Sequence, residues 1–174
     1  PRRDAARSTA AHNTLLLAGA EQAEFFGAFR CGRRPEVTLE CWEAAPERIR
    51  LEGRHDGFRS VPGRPVHRRR IAADGPSVTV EDRLEGGPTA EATAGFLLHP
   101  DIRAEPCPGG QAVRLRLGGR ARLLVTATAP IRVEPAVWWP DLGVERPTTR
   151  LRVLAGRGPL RLVTRLALLE GDRP

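Results

Sequence analysis

Glu36-Val37-Thr38-Leu39-Glu40-Cys41 alternates at every step, with Val37, Leu39 and Cys41 on one side of an extended chain and Glu36, Thr38 and Glu40 on the other. A period of two marks a half-buried antiparallel strand. Ile49 and Leu51 alternate with arginine and glutamate in the same way, and similar runs return over 68–72, 77–84, 92–98, 112–117, 121–127, 131–135, 149–153 and 160–168. Between them lie Ala73-Asp74-Gly75-Pro76, Gly86-Gly87-Pro88, Pro108-Gly109-Gly110 and Gly118-Gly119, each carrying the glycine or proline that a tight reversal needs. Short strands punctuated so regularly predict an all-β fold, an antiparallel two-sheet β-sandwich with few or no helices.

Two stretches are ambiguous. Residues 21–27 read as one turn of helix or a loop, with Phe25, Phe26 and Phe29 expected in the core because phenylalanine has no polar edge. Residues 160–169 begin as a strand and could end as a helical turn. Upstream, 14–17 is a short buried strand closed by Gly19, and 1–6 is read as the remnant of a linker from a preceding domain, leaving 7–170 as the β-sandwich.

A chain of 174 residues suffices for one domain with a real core. It opens on Pro1 and contains no methionine, as expected of a piece of a longer protein. All 28 basic residues are arginine, and the net charge of +7 favours anionic partners. The planar guanidinium fork suits carboxylate and sulfate as well as phosphate. The arginines are spread along alternating strand faces without any nucleic-acid-binding signature, so nucleic acid is not the expected partner. Cys31, Cys41 and Cys107 show no CxxC spacing, which excludes a zinc ribbon; three half-buried thiols are expected, although Cys31 and Cys41 could bridge from neighbouring strands. There is no signal peptide, no apolar run of membrane-spanning length, no phosphate-binding glycine loop and no GxSxG elbow.

Site chemistry concentrates in Arg7-Ser8-Thr9-Ala10-Ala11-His12-Asn13-Thr14, where an imidazole, an amide, a guanidinium and hydroxyls meet at the mouth of a strand. Taken alone, a His-Asn pair there is more often a hydrogen-bonded turn. Of the other histidines, His55 precedes the turn signal Asp56-Gly57 and is expected on a loop at one end of the sandwich. His67, among Arg64, Arg68, Arg69 and Arg70, reads as surface or turn, with contact to an anionic sugar as the alternative. His99 reads as strand-end packing, and Trp138 and Trp139 as a core plug rather than a sugar platform.

These segments, with Glu21-Gln22-Ala23-Glu24-Phe25-Phe26-Gly27-Ala28-Phe29-Arg30, Gly32-Arg33-Arg34, His55-Asp56-Gly57-Phe58, Pro65-Val66-His67-Arg68-Arg69, Leu98-His99-Pro100 and Trp139-Pro140-Asp141-Leu142-Gly143, occur in an order that resembles the C-terminal β-rich part of the heparinase II/III-like polysaccharide lyases, a bacterial group that includes alginate lyases. The resemblance runs from about Arg7 to Arg165 and implies a supersandwich-like β-sandwich beside an N-terminal α/α toroid. It implies β-elimination on an acidic, uronic-acid-containing glycan and a periplasmic or cell-envelope location. The histidines of its AHN-type and HDG-type segments, here His12 and His55, either hold a structural zinc with an acidic residue or face the substrate, so both are candidate catalytic residues. Glu24 is the candidate third zinc ligand, with Glu21 and Asp56 competing. Arg7, Asn13, Arg30 and Arg33 are candidate substrate contacts. In these lyases the neutralising asparagine or histidine and a tyrosine acid/base come mainly from the toroid. This chain has no tyrosine, so alone it is expected to be inactive. The competing expectation is a non-catalytic glycan-binding or structural module.

Overall fold

A computed structural model describes residues 2–87 and 90–169. The chain opens with α1 (Arg2–Arg7) and a 3-10 turn (Thr9–Ala11), then runs as β1 (Leu15–Leu17), β2 (Phe25–Phe26), β3 (Arg30–Cys31), β4 (Val37–Ala45), β5 (Arg48–His55), β6 (Val66–Asp74) and β7 (Ser77–Glu85). It continues as β8 (Glu91–Leu97), β9 (Ile102–Pro106), β10 (Ala112–Leu117), β11 (Arg120–Ala127), β12 (Ile131–Asp141), β13 (Val144–Arg157) and β14 (Leu160–Leu168). One sheet has the order β1-β8-β13-β12 and the other β4-β5-β6-β7-β14-β11-β10-β9, with β2-β3 as a separate small hairpin. Neighbouring strands are antiparallel throughout. This is the expected all-β sandwich.

The core lies where the two sheets face each other. Leu15, Leu17, Ala92, Ala94, Leu151 and Val153 come from the four-stranded sheet and Leu84, Val113, Leu115, Val125 and Leu162 from the eight-stranded one. Fully burying a leucine or valine side chain contributes roughly 1.5–3 kcal/mol. Phe58 is completely buried although it sits in the loop after β5, so the His-Asp-Gly-Phe segment is anchored by its last residue.

The wider sheet overhangs the narrower one. Val37 (72% exposed), Leu39 (62%) and Trp42 (59%) on β4 therefore lie open, and a bulge between Leu39 and Cys41 breaks the alternation. The stretch that announces a strand is thus its exposed edge, not a half-buried member. Charge covers the edge: Glu40 pairs with Arg54 at 3.1 Å and with Arg68, which also reaches Glu85 at 3.2 Å.

Other expectations are corrected. Residues 21–27 are neither helix nor plain loop, since Phe25 and Phe26 pair with Cys31 and Arg30. The three phenylalanines there are not core: Phe29 is 88% exposed, and Arg3 and Arg7 lie over the Phe29 and Phe25 rings. The stretch 1–6 read as a linker remnant falls, from Arg2 on, in the helix Arg2–Arg7, and Arg2 pairs with Glu145 at 3.0 Å. Residues 160–168 stay a strand to the end. The strands expected at 131–135 and 149–153 run much further, and past the bonds that Thr148 and Thr149 make with Leu98, β13 continues as a hairpin arm paired with β12. Pro135, Pro140 and Pro147 are tolerated on this overhanging arm, where a missing N–H leaves no ladder partner stranded. The three cysteines are free and half-buried. Among the described residues no helix is long and apolar enough to cross a membrane.

Candidate functional site

His12 stands where the 3-10 turn gives way to extended chain (φ −109°, ψ 159°). The segments on either side of it are clamped. Thr9 donates its N–H to Glu21 Oε2 at 2.6 Å and accepts from the Gln22 N–H at 2.9 Å, while Gln22 Nε2 donates to Thr14 Oγ1 and to the Leu15 carbonyl, both at 3.0 Å. Asn13 accepts the Leu97 N–H on its side-chain oxygen at 2.7 Å and accepts Arg69 on its carbonyl. With both neighbours spent on position, the exposed imidazole of His12 is left on the wall of a cavity of about 500 Å³ shared with Asn13, Leu97, His99, Trp138 and Trp139.

Behind that wall runs a buried chain of titratable groups. The Gly57 N–H donates to His55 Nδ1 at 3.1 Å, so the proton of neutral His55 sits on Nε2, which lies 3.0 Å from His67 Nδ1. His67 must then carry its proton on Nε2 and donate it to Asp82 Oδ1 at 2.7 Å. Arg69 closes the chain, giving Asp82 Nε at 2.7 Å and a terminal nitrogen at 3.0 Å, and its other terminal nitrogen reaches Asn13. Gly57 has to be glycine here, because a Cβ would lie 2.9 Å from His55 Nδ1 and 3.0 Å from the Gln22 carbonyl. Burial first, and then repulsion from His67 and Arg69, overcomes the pull of Asp56 and lowers the His55 pKa to about 4. Burial pushes Asp82 up, but hydrogen bonds from His67 and Arg69 outweigh it and hold the carboxyl below its ordinary range.

His67 is therefore not a surface residue: it is 2% exposed. The arginine run misleads because neighbours in a strand point to opposite faces, and of the β6 arginines only Arg69 shares the face of His67. Cross-strand register supplies the missing signal, since β6 and β7 set Arg69 directly opposite Asp82.

His12 and His55 do not converge, nor do the three residues expected to bind zinc. His12 lines the cavity above, His55 a smaller one of about 200 Å³ with His67 and Arg69, and Glu24 a third of about 720 Å³ beside α1. The competing carboxylates are spent on backbone, Glu21 on Thr9 and Asp56 on the Glu36 N–H at 2.7 Å. Among the described residues no three His, Cys, Asp or Glu side chains are grouped to hold a metal, so the set His12, Glu24 and His55 does not fit a zinc ion.

The arginines are distributed differently from the expectation. Arg7 is tied to Asp4 and the Gly27 carbonyl, both at 2.6 Å. Arg33 donates to the carbonyls of Gly57 (2.6 Å), Glu21 (2.9 Å) and Gln22 (3.2 Å), which makes it a structural brace under the loops. Arg30 is exposed on β3 and beside the phenylalanines. Arg33→Ala should lower stability by about 2 kcal/mol, with a fall of about 4–8 °C in Tm, and leave glycan affinity unchanged. Thermal melts and a binding titration check this; lost affinity at unchanged Tm would return Arg33 to the substrate contacts. Trp138 and Trp139 are half-buried and lie outside the core cluster, so they are not a core plug, and the ring of exposed His99 lies 4.9 Å from that of Trp138 at the cavity.

The family model described as heparinase II/III-like, C-terminal, matches residues 1–167. The chain belongs to this family. The heparinase II/III-like fold is shared with the crystal structure of the heparan sulfate lyase HepC from Pedobacter heparinus, at a TM-score of 0.79 and 15% identity over 99% of this chain and 26% of that one. A BT4657 gene product described as heparinase III gives 0.75 and 12% over 97% and 25%. The chain thus spans about a quarter of the length of these structures. No curated protein matches the sequence.

Proposed function

We propose that the chain is the C-terminal β-domain of a polysaccharide lyase that cleaves an acidic, uronic-acid-containing glycan by β-elimination, and that it brings His12 to a site shared with an N-terminal α/α toroid in the periplasm or cell envelope. Elimination takes the proton from carbon-5 of the uronate, forms the double bond to carbon-4 and expels the glycosidic oxygen, which must be protonated. The carboxylate has to be neutralised for that proton to become acidic. The observation that carries the reading is the contrast between the histidines: His55 and His67 are consumed by the buried chain to Asp82, whereas His12 is exposed on a cavity with its backbone held from both sides. An imidazole so placed is ready to exchange a proton with a substrate or to pair with its anion. The zinc expected with it is assigned no role, since its donors lie apart.

Absorbance of the unsaturated uronate product tests this on heparin-like and alginate polymers. The chain alone should produce none, and the longer protein that contains it should produce a steady rise on one of them. Turnover by the isolated chain, or none by the longer protein on any uronate polymer, would sink the proposal.

A further inference from the structure

The β12–β13 arm explains how two large aromatic side chains reach the His12 cavity. Trp138 and Trp139 are consecutive, so a regular strand would point them to opposite faces. The pairing is irregular between Trp138, opposite Arg146, and Asp141, opposite Val144. Such a bulge re-aims a side chain, and both tryptophans contribute to the lining of one cavity. Each is also held in place. Trp138 lies against His99, and Trp139 turns its N–H toward Glu145 Oε1 at 3.4 Å, the same oxygen that Arg2 of α1 pairs at 3.0 Å. A space of about 500 Å³ walled by fixed aromatic rings, with His12, Asn13 and His99 as its polar groups, has the make-up of a small-ligand site. The apolar C–H face of a pyranose ring packs on an indole, and its hydroxyls reach the polar rim.

We infer that Trp138 and Trp139 form a sugar-stacking subsite that grips one pyranose of the glycan and delivers the neighbouring uronate to His12. The inference rests on the proposed lyase reading and adds the residues that recognise the sugar. It assigns the indoles to binding, not to proton transfer.

Trp42, the third tryptophan, is 59% exposed on β4 and serves as an internal control. A heparin-derived or alginate-derived tetrasaccharide, titrated into the 174-residue chain, should change tryptophan emission saturably. Trp42→Phe should keep that change. Trp138→Ala and Trp139→Ala should each weaken binding about tenfold, and Trp138→Phe and Trp139→Phe should restore part of it. In the longer protein the two alanine variants should raise KM about tenfold with kcat nearly unchanged. Emission that does not respond, or a response that survives loss of both indoles and vanishes with Trp42, overturns the subsite. If KM is unmoved in the alanine variants while His12→Ala lowers kcat, the subsite falls and the lyase reading stands; if no uronate polymer is cleaved at all, it is the lyase reading that falls.

Discussion

Asp82→Ala is expected to destabilise the domain by about 3–5 kcal/mol, a fall of about 10–15 °C in Tm. Asp82 is fully buried and accepts from His67 and twice from Arg69. Its removal leaves a half-buried guanidinium and a buried imidazole without their anion, and the cost comes from those stranded groups more than from the lost bonds. Asp82→Asn keeps the volume but not the charge, so it should recover only a minor part. Urea midpoints at neutral pH measure both variants, and a loss below about 1 kcal/mol for alanine would mean that the chain of hydrogen bonds does not hold β6 to β7.

The same chain makes stability depend on pH with a definite sign. His55 has a folded pKa of about 4 against an ordinary 6.5, so between these values the unfolded state binds the extra proton. Keeping His55 neutral costs nothing above about pH 6.5, and stability is lost progressively as the pH falls toward 4. Asp82, held below 3.8, keeps its contribution through that window and loses it only at lower pH. The urea midpoint should therefore drop steadily from pH 6.5 to 4, and His55→Asn should flatten the slope. A midpoint indifferent to pH over that range would rule out a His55 imidazole kept neutral by its half-buried setting.

How far the sequence carries depends on whether a property is local. Period-two patterning is written in neighbouring residues, and the strands follow it: Leu151 and Val153 are buried with half-buried Arg152 between them, and Leu162 and Thr164 are buried on either side of half-buried Val163. Which face is covered is not local. Val37 and Leu39 alternate as a buried strand would, yet the opposite sheet stops short of them. The site divides in the same way. His12 and Asn13 are adjacent in sequence and remain together at the cavity, whereas His67 and Asp82 meet only through the register of β6 on β7. Trp138 and Trp139 read as a core plug because size and apolarity are visible in sequence, while a bulge on an overhanging hairpin is not.

On the proposed lyase reading, His12→Ala in the longer protein should lower kcat by about 10²–10⁴-fold, the range for loss of a group that transfers a proton in the transition state. The isolated domain should keep its Tm to within a degree or two, because the imidazole is exposed and its side chain makes no hydrogen bond among the described residues. That separation is what gives the experiment its force. Asp82 lies behind the same wall, joined to the His12 segment through Arg69 and the Asn13 carbonyl, so an Asp82 variant loses turnover together with stability. His12→Ala should lose turnover alone. The non-catalytic alternative predicts the reverse, with soluble yield reduced and turnover per folded molecule intact. Steady-state rates normalised to folded protein, set beside melts of the isolated domain, decide between them: unchanged kcat in His12→Ala would reduce the exposed imidazole to part of the surface and leave the β-domain a support for chemistry done elsewhere.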